Sequence, residues 1–348
     1  MHRREFLKVA ALTPMAFHLG QMRAAVRDEK IAYLGTPQAL HVFTMRRGRW
    51  ALLQEIACEA PSCLALHPSM PVLYATNEVR EFQGFPTGSV TAFEVGADGH
   101  LTQIQRTKLS LSATLPRSIA ISPDGTYALI TAHGGGSYNL FSINHDGALG
   151  YIRGVVKEIG SSLHPEYQET SHPQHACFDG KGHILATDLG TDRIHVLSLA
   201  DGSLRLQGRH QVAPGAGPAK VTVHPAGAFI AISNSLNNSV CVYRYDSLRG
   251  LVGEQVVALP GRAMVLHSER SMLIVGTGKS LDLYQWQSNT GQLRLLHSVD
   301  VRGAVTTMHA GQGSILLASG KEVVRMSLDD LSMECAPLNQ PVHCLLSA

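Results

Sequence analysis

Residues 118–143 read SIAISPDGTYALITAHGGGSYNLFSI. Apolar residues alternate with small or polar ones from Ser118 to Ile121, and a Ser122-Pro-Asp-Gly125 turn follows. Tyr127-Ala-Leu-Ile-Thr-Ala132 starts a second run, and a polar gap at His133-Gly-Gly-Gly136 leads to a third, Ser137-Tyr-Asn-Leu-Phe-Ser-Ile143. A helix would repeat its apolar residues every three or four positions. Alternation with period two, cut by Pro-Asp-Gly and glycine clusters, specifies strands joined by tight turns. The stretch reads as three successive antiparallel strands.

The same unit recurs on both sides. Cys63-Leu-Ala-Leu-His-Pro68 leads to Val72-Leu-Tyr-Ala-Thr-Asn77, then to Gly88-Ser-Val-Thr-Ala-Phe-Glu-Val95. His175-Ala-Cys-Phe-Asp-Gly180 leads to His183-Ile-Leu-Ala-Thr-Asp188, then to Arg193-Ile-His-Val-Leu-Ser-Leu199. Val221-Thr-Val-His-Pro225 leads to Phe229-Ile-Ala-Ile-Ser-Asn234, then to Ser239-Val-Cys-Val-Tyr-Arg-Tyr245, and weaker copies begin at Met264 and Thr307. Repeat starts lie roughly 43 to 57 residues apart, the length of a four-stranded propeller blade. Six copies leave a fragment at each end. Ile31–Thr36 and Leu40–Met45 read as second and third strands of a blade, and Val342–Leu346 reads as the first strand that blade lacks. The expected fold is all-β: a seven-bladed propeller over residues 26–348, closed by the C-terminal strand pairing with the N-terminal blade and so covering both exposed sheet edges.

Composition narrows the partners. The 348 residues are 44% hydrophobic and 16% charged, with a formal net charge of +2. No basic run carries interleaved aromatics, so a nucleic-acid partner is not expected. At the N-terminus, His2-Arg-Arg-Glu-Phe-Leu-Lys8 matches a twin-arginine export motif, and Val9–Leu19 is too short an apolar run to span a bilayer. Residues 1–25 are read as a signal peptide, with small residues at Ala24 and Ala25 for cleavage. The mature chain is then periplasmic, free of the membrane and expected to be a monomer. Disulfides are permitted in that compartment. Of the six cysteines, Cys177 and Cys241 read as buried thiols, while Cys58 with Cys63 and Cys335 with Cys344 are close enough in sequence to pair.

Five further pieces stand in a definite order: Tyr74-Ala-Thr-Asn-Glu78, Ser122-Pro-Asp-Gly125 with Gly134-Gly-Gly136, Gln168-Glu-Thr-Ser-His172-Pro, Asp188-Leu-Gly-Thr-Asp-Arg-Ile194, and Gly215-Ala-Gly-Pro218. In order and spacing the chain resembles the lactonase family of seven-bladed propellers, which includes bacterial 6-phosphogluconolactonase and the fungal carboxy-cis,cis-muconate cyclase. The resemblance implies a site at the central mouth of one face, built from residues just before each innermost strand and residues ending each second strand. It also implies four ionisable positions. The family's histidine falls on His172, with Gln174 at the second histidine of its His-x-His element and His175 alongside. Its two arginines fall on Ala219 and Gly278, with Lys220 and Lys279 adjacent, and its glutamate falls on Ser235 in Ser233-Asn234-Ser235. Three of the four positions are therefore neutral here.

Opening a lactone with water needs a base for the water and donors for the developing oxyanion, worth about 10²–10⁴-fold and about 10²–10³-fold respectively. His172, Glu169 and Glu78 are the catalytic candidates, and Arg117, His133, Gln174, His175, Lys220, Asn234, Ser235 and Arg262 are candidates for holding substrate. Asp188 reads as a turn cap, and His67 and His224, each before a proline, read as structural. No histidine or cysteine pair has zinc spacing. Glu169, His172 and His175 form the one set that could hold a divalent ion, and neither a metal nor an organic cofactor is expected. Two functions follow: a hydrolase acting on a small sugar lactone, or a non-catalytic propeller that binds a ligand or protein across its mouth.

Overall fold

The structure, a computed structural model, describes residues 30–46, 49–247, 249–261, 263–278, 280–319, 322–338 and 340–348, the side chains of 253–256 excepted. The signal-peptide reading, Arg262 and Lys279 lie outside the described residues. Seven four-stranded antiparallel sheets form the blades. The innermost strands are Pro61–Leu66, Pro116–Ile121, Pro173–Phe178, Pro218–Val223, Ala263–His267, Val305–Gly311 and Cys344–Ser347. Each touches the next in that order, and the last touches the first, so they enclose a central channel.

The ring closes as the sequence predicts. Cys344–Ser347 pairs antiparallel with Lys30–Gly35, in the register Ala32↔Ser347 to Gly35↔Cys344. The closing strand starts two residues later than expected, although the His343 N–H still reaches the Gly35 carbonyl at 2.8 Å. Second strands such as Val72–Asn77, Phe229–Asn234 and Ser314–Ser319 are buried along their whole length. Neighbouring blades cover both of their faces, which is why they read as continuous apolar runs. One such interface packs Val72, Tyr74, Val90 and Ala92 against Ile119, Ala128 and Ile130.

The His-Pro turns bind blade to blade. His67 accepts the Met70 N–H on Nδ1 at 2.9 Å, so its proton is on Nε2, which donates to the Gly125 carbonyl of the next blade at 2.9 Å. His224 does the same, accepting from Ala226 N–H at 3.0 Å and donating to the Trp286 carbonyl at 3.2 Å.

At the opposite end of five innermost strands the ladder slips by one residue, leaving Ser62, Arg117, Gln174, Ala219 and Thr306 unpaired. Such a bulge frees a side chain from the alternation of its strand and re-aims it. All six cysteines are free thiols. Cys58 is buried against the Asn77 amide while Cys63 lies near Lys220, and Cys335 is exposed while Cys344 is buried against the Pro61 carbonyl, so neither sequence-close pair faces itself. Among the described residues no helix is long and apolar enough to cross a membrane.

Candidate active site

Starts of innermost strands and ends of second strands meet on one face, and two loops there are fixed tightly. Asp188 ends its second strand fully buried and accepts from Ser171 Oγ at 2.6 Å, His172 N–H at 2.7 Å and Gly190 N–H at 3.0 Å. It is a loop anchor, as its turn sequence suggested, and it sets the backbone of His172. Gly190 lies so close to the Thr170 carbonyl that a Cβ there would collide with it. His133 opens a single 3₁₀ turn, His133–Gly135, and a Cβ on Gly135 would run into the Ser112 backbone. The glycine triplet lets this loop tuck under residues 112–114 and present His133 beside His172.

The two imidazoles stack, with centroids 4.3 Å apart and planes 17° from parallel. His172 Nδ1 lies 3.0 Å from the His133 carbonyl, which can only accept, so Nδ1 carries the proton and Nε2 keeps its lone pair. Gln174, released by its bulge, places its amide nitrogen 2.6 Å from His133 Nδ1 and 3.3 Å from the His172 carbonyl. Since the amide donates to both, His133 Nδ1 accepts and its proton sits on Nε2. Burial, and then the nearby His172, Arg117 and Arg80, bring the His133 pKa down to about 3, so the ring is neutral at ordinary pH. The pair thus offers one free nitrogen base and one N–H donor.

A second cluster stands close by. Arg117, also on a bulge, pairs with Glu78 at 2.8 Å, and Glu78 N–H is tied to the Ala60 carbonyl at 2.8 Å. Burial raises the Glu78 carboxyl pKa, opposed by Arg117 and His343. Arg80 and His343 were not anticipated. His343 precedes its innermost strand as His172 does, so the placement rule used for His172 could have found it.

The remaining expected residues scatter. Glu169 is exposed in a bend and makes no hydrogen bond among the described residues, whereas its neighbour Gln168 is buried and bonds the Leu189 carbonyl at 2.8 Å. Asn234 is buried and donates to Ser239 Oγ at 3.0 Å and Cys241 Sγ at 3.4 Å, in the manner of Asn77 three blades earlier. Ser235 is half-buried and hydrogen-bonded through its backbone to the Gly217 carbonyl at 2.8 Å. Ala219 holds the bulge position, and its carbonyl accepts from Thr187 Oγ1 at 2.9 Å. Gly278 has φ +100°, with nothing within 4 Å of a would-be Cβ. His175 and Lys220 line a 340 Å³ cavity in the channel together with Cys177 and His309. A larger cavity, 560 Å³, opens at the other end of the strands between Lys30, Met45, His267, Leu316 and Arg325. No three His, Cys, Asp or Glu side chains among the described residues converge to hold a metal ion, Glu169, His172 and His175 included.

Residues 30–263 match the model of a family described as lactonase, 7-bladed beta-propeller. A Bacillus subtilis protein named 6-phosphogluconolactonase is 25% identical over 295 residues, spanning 78% of this chain and 82% of its own. Among solved structures, a Pseudomonas aeruginosa periplasmic gluconolactonase superposes with a TM-score of 0.78 at 20% identity, covering 92% of this chain and 99% of that one. A Lactobacillus plantarum protein gives a TM-score of 0.80 at 16% identity, with coverage of 92% and 99%.

Proposed function

Because the chain belongs to the lactonase family of seven-bladed β-propellers, we propose that it opens a small, uncharged sugar lactone with water at the mouth that carries His133 and His172. The observation that carries this reading is the stacked histidine pair with its two fixed tautomers. His172 Nε2 takes a proton from the attacking water as the water oxygen bonds to the lactone carbonyl carbon. The alkoxide that develops accepts from the Nε2–H of neutral His133: burial stops the ring from taking a second proton, and the Gln174 amide on Nδ1 fixes the one it has on Nε2. Collapse of the tetrahedral intermediate breaks the bond to the ring oxygen, which recovers the proton from His172 and leaves a hydroxy acid. Arg117 holds substrate hydroxyls with its free N–H groups, and Glu78 positions its guanidinium. Base catalysis falls to His172 alone, since among the described residues Glu169 makes no hydrogen bond or ion pair with it.

An uncharged substrate suits a mouth whose Arg117 is already paired with a carboxylate and whose family cation positions hold Ala219 and Gly278. The name of the Pseudomonas relative, a periplasmic gluconolactonase, and the twin-arginine pattern at Arg3-Arg4 support a periplasmic location. The test is hydrolysis of a panel of aldonolactones, with and without a 6-phosphate, by wild type and His172→Ala. The expected result is a rate on an unphosphorylated lactone, above the spontaneous background, that falls about 10²–10⁴-fold in the variant. A rate that does not depend on His172, or a marked preference for the phospholactone, would sink the proposal.

A further inference from the structure

Lys220 is the third residue of its innermost strand and lines the channel, away from the histidine pair. Among the described residues its ammonium group makes no hydrogen bond and no ion pair. The groups that face it come from three other blades: Cys63, His175 with Cys177, and His309. The strand Ala263–His267 adds only Met264, Val265 and Leu266 to the lining, with Ser268 just beyond it. No acidic side chain lines this cavity among the described residues, and His175 Nδ1 is buried without a partner. An unpaired charge out of bulk water is costly, and proteins retain one where something supplies the opposite charge.

We propose that the channel is a binding site for a small oxyanion, held by the Lys220 ammonium with His175 and His309 beside it. The cavity, at 340 Å³, admits a sulfate-sized ion with water around it. Lys220 offers three donors, and a charge-assisted hydrogen bond is stronger than a neutral one. The site is independent of the lactone chemistry at the mouth. It also couples to protons. Burial lowers the Lys220 pKa, and burial with the Lys220 charge brings His309 down to about 4 and His175 down to about 3. An anion among them raises all three, so binding takes up protons and strengthens as pH falls.

Sulfate is the probe, because its charge does not change across the range used. Calorimetric titration into wild type at about pH 6 and about pH 8.5, each in two buffers of different ionisation enthalpy, reads affinity and proton uptake together. Expected are one site, tighter binding at the lower pH with net proton uptake, and affinity about ten- to a hundred-fold weaker in Lys220→Met. Lys220→Met removes an uncompensated charge while keeping an unbranched stem, so it should fold with an unchanged circular-dichroism spectrum. His309→Gln keeps polarity without titrating, and should bind sulfate with less proton uptake. Should Lys220→Met fail to fold, unaltered proton uptake in His309→Gln would overturn the proposal. Absence of binding to wild type, or equal binding by wild type and Lys220→Met, would overturn it directly.

Discussion

A single imidazole shows how this chain holds charge out of its interior. His133, brought to about 3 chiefly by burial, keeps company with His175 at about 3 and His309 at about 4. Each folded pKa lies below the unfolded value of about 6.5, so the unfolded chain binds more protons as pH falls. The stability these rings provide is complete above about pH 6.5 and is lost as pH drops toward the folded values. Glu78, raised by burial, works in the other direction, against these three rings and against His195, His210 and His224, which burial also lowers. Thermal melts should therefore fall steadily from pH 7 to pH 4, and His309→Gln should flatten that slope; an equally steep profile in the variant would count against the assignment. Gly135→Ala should cost about 1–3 kcal/mol in denaturant melts and reduce lactone turnover, because the collision with the Ser112 backbone displaces His133. At Gly278 the φ of +100° disfavours any side chain, so restoring the family arginine there strains the loop, whereas Ala219→Arg enters at a bulge. Phospholactone turnover should rise with Ala219→Arg and Ser235→Glu together and gain nothing further from Gly278→Arg. His172 was legible in the sequence because the Gln-Glu-Thr-Ser-His-Pro run marks where an innermost strand begins. Placing Glu169 beside it was not possible, since the loop before that strand has no period and Gln168, not Glu169, turns inward.

Strands were the most legible elements, because both faces of the middle strands are buried and the turns between them carry His-Pro or Pro-Asp-Gly. The bulges were not, since slipping by one residue leaves the apolar pattern of a short strand unchanged while turning Gln174 and Arg117 toward the mouth. The His-Pro turns give a paired test. His67→Ala leaves two turn N–H groups and the Gly125 carbonyl unpartnered, and should cost about 1–3 kcal/mol in denaturant melts. His267 ends the corresponding strand, yet both of its ring nitrogens are buried without partners. His267→Leu should leave stability unchanged or raise it. The closing strand buries Leu345 and Leu346 next to Val342. Deleting residues 341–348 removes those contacts, each about 1.5–3 kcal/mol, and bares the edge of Lys30–Gly35. The truncated protein should melt far below wild type, and a melt at the wild-type temperature would mean that the ring closes in another way.

For the whole molecule, the repeat length was enough to count seven blades, because each is one self-similar unit that must bury both faces against neighbours. Destination rests on a separate signal. Replacing Arg3 and Arg4 with Lys should hold the protein in the cytoplasm, and periplasmic recovery on fractionation would break the link between that pair and export. The free thiols add a check on the fold: alkylation of the denatured, unreduced protein should modify all six cysteines by mass. The ladder slips have the widest consequence. Ser62, Arg117, Gln174, Ala219 and Thr306 have no ladder partner across their sheets. Ser62 and Thr306 still bond neighbouring strands through their hydroxyls, whereas the side chains of Arg117, Gln174 and Ala219 take no part in the strand-to-strand hydrogen bonding that holds the ring together. Stability and ligand choice become separable variables in this architecture. A new specificity can be written at Arg117, Gln174 and Ala219 without redrafting the scaffold that displays it.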